Sequence, residues 1–163
     1  MSVQPVNDQS LQAAPFTITK SPATELAMPT LFTRIIQGEI PGRLVYQDHR
    51  CVAFLTIAPI RLGHTLVVPI EEVDHWIDLP DDLTAHLFQV ATKVGQAIQT
   101  AFQPTKVGMM IAGLEVPHTH LHLVPIQAIG DLDFSKQDQH PDPAAMDDAM
   151  LRLRAALGWQ PQA

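Results

Sequence analysis

A single cysteine in 163 residues, Cys51, leaves no partner for an intramolecular disulfide and no cysteine-rich zinc cage. It sits in the apolar run Cys51-Val52-Ala53-Phe54-Leu55, where a small buried hydrophobe is the expected role and only Arg50 is at hand to lower its pKa. Basic residues are scarce as well: 10 Lys and Arg stand against 17 Asp and Glu, a formal net charge of -7. That balance offers no general attraction to DNA, RNA or an anionic membrane, so any phosphate-bearing ligand must be held by local groups. No run approaches the ~20 apolar residues of a membrane span, and Met1 to Ser10 lacks the basic start and apolar core of a secretory signal. The expected location is the cytoplasm. No internal repeat or low-complexity tract is present.

What remains is the composition of an ordinary globular chain, 46% hydrophobic and 17% charged, with room for one compact domain. Residues 1 to 28 show no sustained periodicity and read as a variable arm, with a short strand possible at Phe16-Thr17-Ile18-Thr19. From Pro29 onward Leu31, Phe32, Ile35 and Ile36 recur at helical spacing, with Thr30 as cap and Gly38 as stop. Two strands follow, Arg43 to Gln47 and Arg50 to Thr56, joined across Asp48-His49 in a tight hairpin that lacks the preferred glycine. His64 to Pro69 reads as a third strand and Asp74 to Asp78 as a short helical segment.

Acidic Pro80-Asp81-Asp82 opens a long helix in which Leu83, Leu87, Val90, Val94, Ile98 and Ala101 keep the 3.6-residue period, and Gln103-Pro104 closes it. Thr105 to Ala112 and Val116 to Val124 complete the strands, giving an α+β domain over 29 to 130 with an antiparallel sheet, one long helix and a short N-terminal helix. Residues 131 to 163 form an acidic extension with a helix from about Pro143 to Leu157, read as an appended element that covers a dimer edge, caps a pocket or stays solvated.

The chemistry concentrates in Val116-Pro117-His118-Thr119-His120-Leu121-His122-Leu123-Val124-Pro125. On a strand, alternate side chains share a face, so His118, His120 and His122 line one side and Thr119, Leu121 and Leu123 the other. With imidazoles roughly 6.5 to 7 Å apart, one can touch a substrate atom while its neighbours reach adjoining groups. Neutral imidazole is a competent nucleophile, and flanking donors can spread the charge that develops on a phosphoryl group. It is also the commonest ligand for zinc, copper and non-haem iron. No carboxylate or thiol interrupts the triplet and Glu115 is the nearest acid in sequence, so spacing alone leaves nucleophile and metal ligand open.

The run His118-Thr119-His120-Leu121-His122-Leu123-Val124 resembles the signature of the histidine-triad superfamily. Phe32-Thr33-Arg34-Ile35-Ile36-Gln37-Gly38-Glu39-Ile40-Pro41 is similar to that family's opening helix and its exit. Gly63-His64-Thr65-Leu66-Val67-Val68-Pro69 resembles the strand carrying its fourth histidine. The three stretches occur in the family's order over about residues 29 to 127. The resemblance implies a small nucleotide-binding protein, a homodimer whose sheets join, that hydrolyses or transfers nucleoside phosphates without a cofactor. In that reading His120 attacks the α-phosphorus to form a nucleotidyl-histidine, and water releases a nucleoside monophosphate. His118 and His122 flank it, binding phosphate oxygens, orienting His120 or assisting the leaving group, and His64 completes the cluster. Phe32, Ile40 and Phe54 take positions that wall the base pocket, core packing being the alternative for each. His49, His75, His86 and His140 fall outside every motif and read as surface residues.

Several positions depart from the family's pattern. Thr56 stands where an aspartate commonly holds ribose hydroxyls, and offers a hydrogen bond without charge assistance. Ala112-Gly113-Leu114-Glu115 replaces an Ala-Gly-Gln-Ser/Thr run, so Gly113 and Glu115 keep a place at the phosphate while a polar contact is lost. An ionised Glu115 would repel phosphate there. Val107 and Ile126 replace an amide and a basic residue, and from Val107 to Gly130 there is no Lys or Arg. The cysteines that some relatives use for structural zinc fall near Thr30 and Thr33, poor zinc ligands, and no metal is expected. The leading expectation is a nucleotidyl hydrolase acting on a dinucleoside polyphosphate, a phosphoramidate or an adenylylated molecule. The alternatives are a low-turnover nucleotide-sensing module and a metal-dependent hydrolase using the same histidines.

Overall fold

A computed structural model describes residues 28–161. The strand expected at Phe16 to Thr19, and all of the N-terminal arm except Met28, lie outside the described residues. The elements are α1 (Leu31–Ile36), β1 (Arg43–Gln47), β2 (Cys51–Leu55), β3 (Thr65–Pro69), α2 (Asp81–Phe102), β4 (Lys106–Met110), β5 (Leu121–Ile126) and α3 (Pro143–Leu157). Single 3-10 turns occur at Trp76–Asp78, Ile129–Asp131 and Phe134–Lys136.

Five strands form one antiparallel sheet in the order β1-β2-β3-β5-β4. Because side chains alternate across a strand, β2 presents Cys51, Ala53 and Leu55 to one face and Val52 and Phe54 to the other. The first face carries the main core, where α2 lays down Leu83, Leu87, Val90, Val94 and Ile98, the stripe legible in the sequence. Burial of such a stripe is what stabilises a helix that has Pro80 and no side-chain cap at its start. The second face, with Phe54, Leu66 and Val68, is covered by Phe32 of α1, and this thinner side holds the histidines.

The β1–β2 turn shows why no glycine is needed. The Asp48 carboxylate accepts from the backbone N–H groups of Arg50 and Cys51, both at 2.8 Å, and so closes the turn itself. Gly63 is needed: its φ of +96 suits the turn into β3, and a Cβ there would meet the Phe102 ring at 2.6 Å.

Two expectations change. The histidine strand is shorter than Val116 to Val124: β5 starts at Leu121, and Val116 to His120 leave the ladder. In the β3–β5 register Val67 faces Leu121, so Thr119 would fall opposite Pro69, which has no N–H to donate. Thr119 instead donates its N–H to the Val73 carbonyl at 2.7 Å. The C-terminal extension is also more than an appended element. Met146, Ala149 and Leu153 of α3 are buried in the main core, and Arg154 Nε donates to the Leu44 carbonyl of β1 at 2.8 Å. The acidic residues hid this in the sequence because they occupy the outward side of the same helix. We expect Leu153→Ala to destabilise the fold by about 2–5 kcal/mol in urea unfolding, the usual range for a leucine emptied from a core. A loss under about 1 kcal/mol would mean that α3 is peripheral.

Candidate active site

Four histidines separated by up to 58 residues converge on the thin side of the sheet, and all are at most 8% exposed. His64 enters from the start of β3, His122 lies on β5 opposite Leu66, and His118 and His120 lie on the segment before β5. The His120 and His122 rings are 4.8 Å apart, and the His64 and His122 rings 5.2 Å. The expected grouping is therefore present, although only His122 belongs to a strand.

The hydrogen bonds fix the tautomers when each ring is neutral. His118 Nε2 lies 2.8 Å from the Pro69 carbonyl, which can only accept, so Nε2 carries the proton and Nδ1 accepts from the Thr30 hydroxyl at 2.9 Å. His120 Nδ1 lies 2.7 Å from the His118 carbonyl and must be protonated, which leaves the lone pair on Nε2, a nitrogen with no partner among the described residues. His64 Nδ1 accepts from the Ile60 N–H at 3.2 Å, so its Nε2 donates to His122 Nδ1 at 3.0 Å and His122 presents an N–H at Nε2. One free lone pair thus stands beside one free N–H.

Burial, which disfavours the charged form, holds these rings neutral. It takes His64 down to about 4 and His122 down to about 3, with neighbouring imidazoles adding to the effect. His120 is also lowered by burial, against the opposing pull of its bond to the His118 carbonyl and of the Glu115 charge.

Three residues that sequence reading passed over as site residues hold His118. Thr33 donates its hydroxyl to the Glu72 carboxylate, the Thr33 N–H reaches Thr30 Oγ1 at 3.2 Å, and the Thr30 N–H reaches Glu72 at 3.1 Å. Thr30 was legible as a helix cap. Its bond to a histidine 88 residues away was not. The donor set here, two hydrogen-bonded hydroxyls with one carboxylate and one imidazole, does not fit zinc, which takes thiolate and imidazole in structural sites. Among the described residues, Asp48, Cys51 and His86 also stand within metal-ligating reach of one another, away from the histidine cluster. There burial pushes the Cys51 thiol up to about 12, far from the thiolate, and Asp48 is already bound by two backbone N–H groups and His86. His86 is therefore half-buried and paired, whereas His49, His75 and His140 are exposed.

Two cavities flank the cluster. A cavity of about 540 Å³ is lined by Phe32, Ile40, Phe54 and Thr56 together with Leu31 and Ile35, and Arg43 and Asp147, paired at 2.7 Å, also border it. Its volume is in the range that accepts a drug-sized ligand. Phe32 joins it to the histidines, with its ring 5.5 Å from Phe54 and 4.9 Å from His120. The second cavity, about 150 Å³, takes in Gly113 and Glu115 on the far side of His122. The candidate ligand residues thus divide into two groups with the imidazoles between them. Phe134 is a further residue not foreseen: its ring stands 5.0 Å from His122.

The HIT domain profile matches residues 37–129 of the chain. Protein hit of Bacillus subtilis is 34% identical over 106 residues, covering 62% of this chain and 73% of that protein. Adenosine 5'-monophosphoramidase HNT1 of Saccharomyces cerevisiae is 32% identical over 121 residues, covering 72% of this chain and 76% of that enzyme. Among solved structures, a zinc-bound histidine triad family protein from Mycobacterium smegmatis superposes with a TM-score of 0.70 at 28% identity, covering 80% of this chain and 94% of that one.

A ring kept neutral in the fold but free to protonate when unfolded makes the unfolded chain bind more protons, so stability rises with pH between the two pKa values. For His64 and His122 the window runs from 6.5, the unfolded value, down to about 4 and about 3. We expect stability from urea unfolding to be level above about pH 7 and to fall steadily from pH 6.5 towards 4.5, with a shallower fall in His122→Asn. Equal stability of the wild type at pH 7.5 and 5 would contradict the neutral cluster.

Proposed function

The chain belongs to the HIT domain family, and from that premise we propose that it is a nucleotidyl hydrolase that cleaves a nucleoside phosphate derivative at the α-phosphorus. The observation that carries the reading is the His120 tautomer: Nδ1 is tied to the His118 carbonyl and the Nε2 lone pair is left free, beside the His122 N–H and next to an aromatic-walled cavity. The base and ribose occupy the cavity of Phe32, Ile40 and Phe54, with the Thr56 hydroxyl as a ribose contact. The yeast relative named as an adenosine 5'-monophosphoramidase supports this class of substrate.

In the first half-reaction His120 Nε2 bonds to phosphorus while the bond from phosphorus to the leaving group breaks. The departing atom keeps that electron pair and takes up a proton drawn from solvent by way of His122 Nε2. In the second half-reaction water attacks phosphorus, His120 leaves with its electron pair, and the proton returns to solvent, so the sum consumes one water. The His122 N–H is a donor to the departing atom or a phosphate oxygen, worth more in a site from which water is largely excluded. His64 holds the His122 ring in the tautomer that makes this possible. His118 has both nitrogens engaged, so the role its geometry supports is positioning: its carbonyl orients His120, and its ring anchors that carbonyl to Pro69 and Thr30.

Brief mixing with adenosine 5'-phosphoramidate followed by alkaline quenching should give a protein heavier by one adenylyl group, absent in His120→Ala, whose turnover should drop on the order of a thousandfold or more. Equal adduct in the variant would remove His120 as the nucleophile.

The same reading includes a homodimer. At one edge of the sheet α3 takes a β1 carbonyl through Arg154, whereas β4 at the other edge pairs only with β5 among the described residues and exposes Met109. An open edge strand with an exposed apolar residue is a template for a second copy. Light scattering should return twice the chain mass, reduced to one chain in Met109→Arg, and a monomeric wild type would refute the pairing.

A further inference from the structure

The small cavity on the far side of His122 has a chemistry unlike that of a polyphosphate site. Its volume is about 150 Å³ against about 540 Å³ for the aromatic-walled cavity, a size suited to a short chain. It is lined by Gly113, Leu114, Glu115, His122, Phe134 and Gln137. Phe134 stands against the His122 ring and keeps over a third of its own surface exposed, and the Glu115 carboxylate is exposed at the rim. No lysine or arginine occurs from Val107 to Gly130. Of the nearby cations, Arg61 pairs with Asp131 at 3.3 Å, and Lys136 Nζ donates to the Gly130 carbonyl. No cation lines the cavity, so a polyanionic group there would meet a carboxylate and an aromatic ring. An organic cation finds in the same two groups the partners that attract it.

We propose that this cavity receives the leaving group and that Glu115 and Phe134 select an amine carrying a further positive charge, so that the preferred substrate is a nucleoside phosphoramidate of a diamine-like compound. The proposal rests on the nucleotidyl hydrolase reading and on its placement of the His122 N–H at the departing atom, since His122 is the histidine that lines this cavity. In the step concerned His120 Nε2 bonds to phosphorus and the P–N bond breaks. The nitrogen keeps the electron pair, takes up one solvent-derived proton at His122 Nε2 and leaves as the free amine, its distant ammonium group unchanged throughout. Glu115 is thus a specificity-determining residue, and Phe134, contributed by the segment after the matched family region, walls the same cavity.

The test compares three adenosine 5'-phosphoramidates that share one P–N linkage and a four-carbon chain, made from 1,4-diaminobutane, n-butylamine and 4-aminobutyrate. For the wild type kcat/KM should fall in that order, by roughly threefold to tenfold per step at low salt and less as salt is raised. Glu115→Gln should bring the three values together, Glu115→Lys should reverse the order, and Phe134→Ala should lower the diamine value relative to the butylamine value. Glu115 and Phe134 are both partly solvent-facing, and a melting temperature unchanged within about 2 °C checks that the variants remain folded. Turnover of all three by the wild type with no charge order, or the same order in Glu115→Gln, would overturn this inference and leave the hydrolase reading standing. No turnover and no adduct with any of the three would overturn both.

Discussion

The bond from His120 Nδ1 to the His118 carbonyl is the constraint on which the site depends. Imidazole has two nitrogens and one proton when neutral, and only the bare one can attack phosphorus. Tying the proton to a backbone carbonyl two residues back decides which nitrogen that is, and does so with a group that cannot itself titrate. In the β3–β5 register Thr119 would pair with Pro69, which has no N–H to offer, and the ladder ends before it, so the His118 carbonyl lies on the segment that has left the sheet.

Holding the carbonyl still is the work of a second layer. The His118 ring spans from Pro69 to Thr30, and Thr30 is bound in turn through Thr33 and Glu72. These groups come from α1, from β3 and the loop after it, and from the approach to β5, so the anchor also closes α1 over the histidine side of the sheet and sets Phe32 against His120. Among the described residues no fully buried side-chain nitrogen or oxygen is left without a hydrogen-bond partner, in keeping with the cost of leaving a buried donor or acceptor unpaired. Burial then acts on all the rings alike, lowering their pKa values and keeping them neutral through the physiological range.

The two sides of the site are built from different parts of the chain. The large cavity belongs to α1, β1 and β2, elements that lie mainly within or beside the region matched by the family, with one ion pair added from α3. The small cavity is closed by Phe134 and Gln137, which follow that region. In the proposed reading, the sheet and the large cavity hold the nucleotide while the small cavity's rim acts on the leaving group.

The sequence by itself determined the periodic elements and the row of alternating histidines. The α2 stripe, the strands flanked by proline and glycine, and three histidines at alternate positions are local patterns whose spacing equals a structural repeat. It also carried the family, because each of the three stretches that show the resemblance is a continuous run of residues. Only the tertiary structure decided which nitrogen of each ring bears the proton, that Glu72 and Thr30 act on His118, that Phe134 meets His122, and that α3 belongs to the core. Each of these depends on groups brought together from distant parts of the chain, and a hydrogen bond or a buried contact between such groups leaves no period in the sequence from which it could be read.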